Sequence, residues 1–138
     1  MRTRHKRARR DGIATLELAF LAPFLAFIFV AAVDYGRIFY YSLTIENCAR
    51  QGALYASDPV VASQSTYSSI SAAALADASN LSPTPTVSSS SGTDSSNRSY
   101  VDVTVTYTFT TLTNYPGIPS STTISRTVRV DVAPTVPQ

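Results

Sequence analysis

The sequence predicts an α+β protein in which one long N-terminal helix, membrane-spanning in its first part and amphipathic in its second, packs on a small antiparallel sheet. Three observations carry this expectation. A long apolar run, Ile13 to Val33, follows a strongly basic N-terminus. An apolar stripe at helical spacing continues that run to residue 57. Two segments of alternating apolar and polar residues lie near the C-terminus. The chain then divides into a basic cytoplasmic leader (1–12), a transmembrane helix (13–33), an amphipathic continuation (34–57) and an exported small α+β region (58–138) with a Ser-rich loop at 82–99.

The leader is defined by charge. Arg2, Arg4, Lys6, Arg7, Arg9 and Arg10 stand against Asp11, a net +5, while the remaining five basic and eight acidic residues give −3, within a total of +2. A basic arm suits nucleic acid, but Lys and Arg also flank membrane helices on the cytoplasmic side because they resist translocation. The arm abuts the apolar run directly, which favours the second reading. The acidic body carries no sign of a nucleic-acid surface.

As a helix, Ile13 to Val33 would be about 31 Å long at about 1.5 Å per residue, matching a hydrocarbon core of about 30 Å. Ten strongly apolar residues each favour insertion by about 0.3–0.6 kcal/mol. Their sum, about 3–6 kcal/mol, carries one carboxylate, Glu17, placed toward the end of the span. A cleavable signal peptide is the competing reading, with Ala31-Ala32 imitating a small-residue cleavage site. The length of the span, and Glu17 and Pro23 inside it, argue against cleavage there. Pro23 removes one helical hydrogen bond, and neighbouring helices in a bilayer can make up that loss.

Beyond the span, Ile38, Tyr41, Ile45, Cys48, Gly52 and Tyr55 recur at steps of three and four, one helical stripe. Asp34, Arg37 and Glu46 are expected off it, with Arg50 pairing to Glu46 one turn back. Ala49, Gly52, Ala53 and Ala56 are small enough to admit another backbone, either from the protein's own sheet or from a neighbouring subunit. Asp58-Pro59 ends the helix. Residues 63–80 form a second helix with Tyr67, Ile70, Ala74, Leu75 and Ala78 along one edge. Residues 82–99 read as loop, with a short strand near Thr86 and Val87.

Val101, Val103, Val105, Tyr107 and Phe109 alternate with Asp102, Thr104, Thr106 and Thr108, the signature of a strand with one buried face. Asn114-Tyr115-Pro116-Gly117 punctuates the chain, and a second strand follows over 122–132. Ile124, Val128, Val130 and Val132 face inward there, and Arg126 interrupts the apolar face and exposes its end. The 34–57 helix is the only element large enough to cover such a sheet.

The chemistry-bearing residues exclude several function classes. One cysteine, Cys48, and one histidine, His5, exclude an internal disulfide and a His/Cys metal cluster. His5 lies in the leader, so the abundant Ser and Thr have no general base to activate them. No enzyme activity and no cofactor are expected. The arrangement that stands out is Gly12, Ile13 and Glu17: basic tail, glycine, four residues, glutamate, then an apolar helix. A peptidase cutting after Gly12 would expose a new amine on Ile13, free to pair with the Glu17 carboxylate of an adjacent subunit. Such pairing explains a carboxylate kept in hydrocarbon, where an unpaired one is costly.

On these residues the chain resembles the TadE-like family, minor pilins or pseudopilins of the tight-adherence (Flp) pilus system of bacteria and archaea. The resemblance is carried by Gly12-Ile13-Ala14-Thr15-Leu16-Glu17, by Pro23, by Asp34-Tyr35-Gly36-Arg37, and by Ala49-Arg50-Gln51-Gly52-Ala53-Leu54-Tyr55-Ala56. The last stretch is similar to the family's Ala-Arg-Glu-Gly-Ala-Arg-Tyr-Ala pattern and departs from it at Gln51 and Leu54. Leu18 stands where major Flp pilins carry an aromatic residue, which argues against the major filament subunit. The resemblance implies a pilin-like, single-pass protein of the cytoplasmic membrane, its N-terminus inside and its C-terminal domain outside. The bilayer, a prepilin peptidase and other pilin-like subunits are its implied partners. The alternative, from a different class, is an unprocessed anchored binding module that never assembles.

Overall fold

The computed structural model describes residues 5–112 and 120–134, with side chains from residue 12 onward. Asn114-Tyr115-Pro116-Gly117 therefore lies outside the described residues. Two compact units are present, Met1–Gly36 and Arg37–Gln138. Helix α1 (His5–Ser57) begins in the first and ends in the second, with Pro23 inside it.

In the N-terminal unit, α1 displays its apolar side chains outward. Ile13, Leu16, Leu18, Phe20, Leu21, Phe24, Leu25 and Phe29 are all exposed. Each such side chain is about 1.5–3 kcal/mol less stable in water than buried, so this stretch of α1 calls for an apolar surrounding.

The C-terminal unit is built on the second part of α1. After Ser57 come α2 (Pro59–Gln64), α3 (Ile70–Leu75), a single 3-10 turn (Ala76–Ala78), and strands β1 (Thr86–Thr93), β2 (Ser99–Thr110) and β3 (Ser121–Asp131). The strands form one antiparallel sheet in the order β1-β2-β3. Its register pairs Val87 with Val105 on one side of β2 and Val128 with Val103 on the other.

The expected stripe on α1 is the inner face. Ile45, Cys48, Ala49 and Ala53 pack with Ala74, Ala78 and Leu81, with Val103, Val105, Tyr107 and Phe109 of β2, and with Ile124 of β3. The helix therefore covers the sheet, as the alternating strands required. Ile38, Tyr41 and Ile70 close the rim of this core. On the opposite face of the sheet the polar residues pair across strands. Thr104 and Thr127 hydroxyls are 2.7 Å apart, and Thr106 and Ser125 hydroxyls 3.1 Å.

Three expectations are corrected here. The helix expected over 63–80 is two short helices with a break. Asp58 caps α2, its carboxylate accepting from Val60 and Val61 N–H at 2.9 and 3.2 Å, and Pro59 starts the first turn. Ser65 ends α2 in extended conformation, and Ser69 caps α3 by accepting from Ala72 N–H at 3.1 Å. Serines that bond their own backbone favour helix ends over helix interiors. The Ser-rich stretch 82–99 is not a loop throughout, because β1 occupies eight residues of it. The pairing with β2 supplies what the composition lacks, and Tyr100 lies over Gly92, where a Cβ would meet its hydroxyl at 2.6 Å. The turn from β1 to β2 is held by Asp94, which accepts from Ser96 and Arg98 N–H at 2.8 Å each. Asn97 there takes a left-handed φ of 62°, a conformation Asn tolerates better than most residues. Third, Asp34 is not off the buried face: it is only 7% exposed. It precedes Ile38 by four residues, so helical geometry places both on one side.

Candidate functional site

The site residues named from sequence fall into two groups. Gly12, Ile13 and Glu17 lie on the outward-displayed stretch of α1. At Gly12 a Cβ would meet nothing within 4 Å. Glycine inside a helix is about 1 kcal/mol worse than alanine, and no packing among the described residues requires it here. Gly52 is the contrast. A Cβ there would lie 3.0 Å from Ala74 Cβ, 3.0 Å from Val103 Cγ1 and 3.4 Å from Ile70 Cγ2. Gly52 is glycine because α1 meets α3 and β2 at that point.

The second group, Asp34, Gly36, Arg37, Ala49, Arg50, Gly52, Ala53 and Tyr55, divides by role. Ala49, Gly52 and Ala53 form the seam against the protein's own α3 and β2. Of the two readings of these small residues, the sheet reading accounts for all three. Tyr55 is half-buried, and Gly36 has open space where a Cβ would stand. Arg50 is exposed and pairs with Glu46 one turn earlier, a contact worth about 0.3–0.5 kcal/mol on a helix surface. Arg37 was expected off the apolar stripe, yet its guanidinium lies 4.9 Å from the Phe109 ring centre and 5.9 Å from that of Tyr41. The Tyr41 ring in turn packs 5.3 Å from Tyr107 and 5.4 Å from Phe109. Sequence reasoning missed this cluster, although Tyr41 on the stripe and Tyr107 and Phe109 on the inner face of β2 were its signal.

Electrostatics in the C-terminal unit are structural. Two hydrogen bonds from Arg129, each 2.7 Å, hold the Asp102 carboxyl below the usual carboxylate range. The same guanidinium stacks 3.9 Å from the Tyr100 ring centre. The backbone N–H of Arg98, followed by its side chain, lowers Asp94 in the same sense. Burial, and then the charge of Asp77, push the Cys48 thiol up. A fully buried neutral thiol is a packing residue rather than a nucleophile.

An outward apolar helix, a glycine with no packing reason and a small-residue seam under a sheet are now all located on α1. Residues 12–54 match the family model described as TadE-like protein. The chain carries a TadE-like region. That region begins at the unexplained glycine and ends at Leu54, one turn short of the end of α1. It includes both the seam and Arg37, whereas the three strands lie outside it. No curated protein and no solved structure matches the chain. The matched region contains the apolar stretch of α1 near the N-terminus, which by length and composition can cross a membrane once.

Proposed function

We propose that this chain is a minor pilin or pseudopilin that assists assembly of a tight-adherence (Flp) pilus, or of a related secretion apparatus, in a bacterial or archaeal cytoplasmic membrane. The observation that carries the proposal is the TadE-like match beginning at Gly12, at the head of an apolar helix displayed outward. The basic leader stays inside, and the sheet-bearing unit is exported. A prepilin peptidase cuts after Gly12, leaving the Ile13 amine beside Glu17. Released from its leader, the span packs laterally against like helices, and the amine and carboxylate pair between subunits.

The open space around Gly12 supports a glycine kept for recognition by a peptidase rather than for packing. The mass of the mature protein from native membranes, measured beside Gly12→Leu, tests the proposal. Loss of residues 1–12 in the wild type but not in the variant is the expected result. A full-length mass in both would leave an unprocessed anchored module. A cut near Ala32 would remove the anchor altogether.

A further inference from the structure

Two Asn-x-Ser triplets occur in the C-terminal unit, Asn80-Leu81-Ser82 and Asn97-Arg98-Ser99. Asn-x-Ser, with x other than proline, is the pattern at which exported proteins accept a glycan on the asparagine amide. The structure separates the two. Asn80 Nδ2 donates to the Tyr40 hydroxyl at 3.2 Å. Leu81 is 6% exposed and belongs to the core, and the Ser82 carbonyl accepts from the Tyr107 hydroxyl at 3.1 Å. That triplet is built into the packing, and drawing it out would open the core.

The second triplet lies in the turn between β1 and β2, where Asn97, Arg98 and Ser99 are all exposed. Among the described residues the Asn97 side-chain amide and the Ser99 hydroxyl make no hydrogen bond. Other atoms hold the turn. Asp94 N–H donates to the Arg98 carbonyl at 2.9 Å and Asn97 N–H to the Asp94 carbonyl at 3.0 Å. The Arg98 guanidinium pairs with Asp94 and Asp131, each at 2.9 Å. Exposed ion pairs of this kind contribute little, so the tripeptide can be drawn out without touching the core. The left-handed φ of 62° gives Asn97 a backbone reason, but that reason does not extend to the Ser99 hydroxyl. The triplet also lines an open cleft of about 1050 Å³, together with Ser57, Asp58 and Asp131. The cleft leaves room beside Asn97 for the bulk that a glycan adds.

We propose that Asn97 is the acceptor of an N-linked glycan. The donor is an oligosaccharide carried on a polyprenyl diphosphate lipid, and a membrane transferase outside the cytoplasm catalyses the step. Asn97 Nδ2 forms a bond to the anomeric carbon of the first sugar. The bond from that carbon to the diphosphate oxygen breaks, and the lipid diphosphate leaves with the electron pair. One amide proton passes to a base of the transferase, and no oxidant or reductant takes part. Ser99 offers its free hydroxyl to the transferase and positions the tripeptide. Donor and transferase lie outside the cytoplasm, so the assignment rests on export of the C-terminal unit.

Peptide mass spectrometry of the full-length protein purified from native membranes tests this. The chymotryptic peptide from Ser82 to Tyr100 contains Asn97 and not Asn80. It should carry a sugar mass in the wild type, in Asn80→Gln and in Ser99→Thr, and lose it completely in Asn97→Gln and Ser99→Ala. Ser99→Ala keeps Asn97 and every contact that holds the turn, so its loss of sugar does not come from misfolding. Export is read separately. In spheroplasts Ser96→Cys should react with a membrane-impermeant maleimide, and the wild type, whose single cysteine is the buried Cys48, supplies the blank. A peptide without sugar in cells where Ser96→Cys is labelled overturns the assignment and leaves export standing. Sugar retained in both Asn97→Gln and Ser99→Ala also overturns it. Labelling of Ser96→Cys only after lysis overturns export, and the glycan assignment with it.

Discussion

Gly52→Ala tests whether the seam between α1, α3 and β2 is as tight as it measures. The added methyl would sit 3.0 Å from Ala74 Cβ and Val103 Cγ1, short of the optimal carbon separation by about 0.5–1 Å. Ala74 and Val103 are both fully buried, 0% exposed, so neither has solvent to retreat into. Overpacking a filled core costs about 1–3 kcal/mol. Alanine returns about 1 kcal/mol as the better helix former. The expected net loss is therefore about 0–2 kcal/mol. For a unit of this size each kcal/mol lowers the melting midpoint by about 4–8 °C.

Denaturant unfolding of the full-length protein in detergent, followed by tyrosine fluorescence, measures this, because Tyr107 is buried and reports on the core. Val103→Ala removes the Cγ1 that the new methyl meets. The double variant should then lose less than the sum of the singles, by about 1 kcal/mol, a coupling within the range for residues in contact. Additivity within about 0.5 kcal/mol would show that the seam yields and that Gly52 is not held by packing.

Phe109→Ala should destabilise the C-terminal unit by about 3–5 kcal/mol, since the ring is 1% exposed and holds both Tyr41 and Arg37; the same denaturation assay reads it. Asp102→Asn should flatten the acid limb of the stability curve. The folded carboxyl titrates below its unfolded value, so its contribution is present above about pH 4 and is lost as pH falls through the folded pKa. Stability measured from pH 7 down to pH 2 in wild type and variant checks the sign. Glu17→Gln should leave membrane insertion intact, because a neutral amide costs less in hydrocarbon than a carboxylate. It should also abolish co-purification with other pilin-like subunits, and unchanged co-purification would remove the intersubunit pairing from the proposed mechanism.

Periodicity made the span, the α1 stripe, β2 and β3 legible. The spacing of Ile45, Cys48 and Gly52 and the alternation from Val101 to Phe109 are properties of consecutive residues, and each burial class followed them. The Gly12–Glu17 spacing is likewise a property of consecutive residues, and within the fold Gly12 has open space where a Cβ would stand. Segments with weak internal signals were not legible. Strand β1 has one large apolar residue, Val87, and exists because β2 offers it a complete edge to pair with. The break between α2 and α3 depends on which serines turn back onto the backbone.

The sequence by itself therefore determined where the chain is apolar, where it is helical or extended, and which face of each element seeks a core. Tertiary structure alone decided what meets that face. It gave Gly52 a packing reason and left Gly12 without one. It set Arg37 against Phe109, 72 residues along the chain. Local spacing carries no information about partners so distant, because their proximity comes from the antiparallel return of β2 along α1.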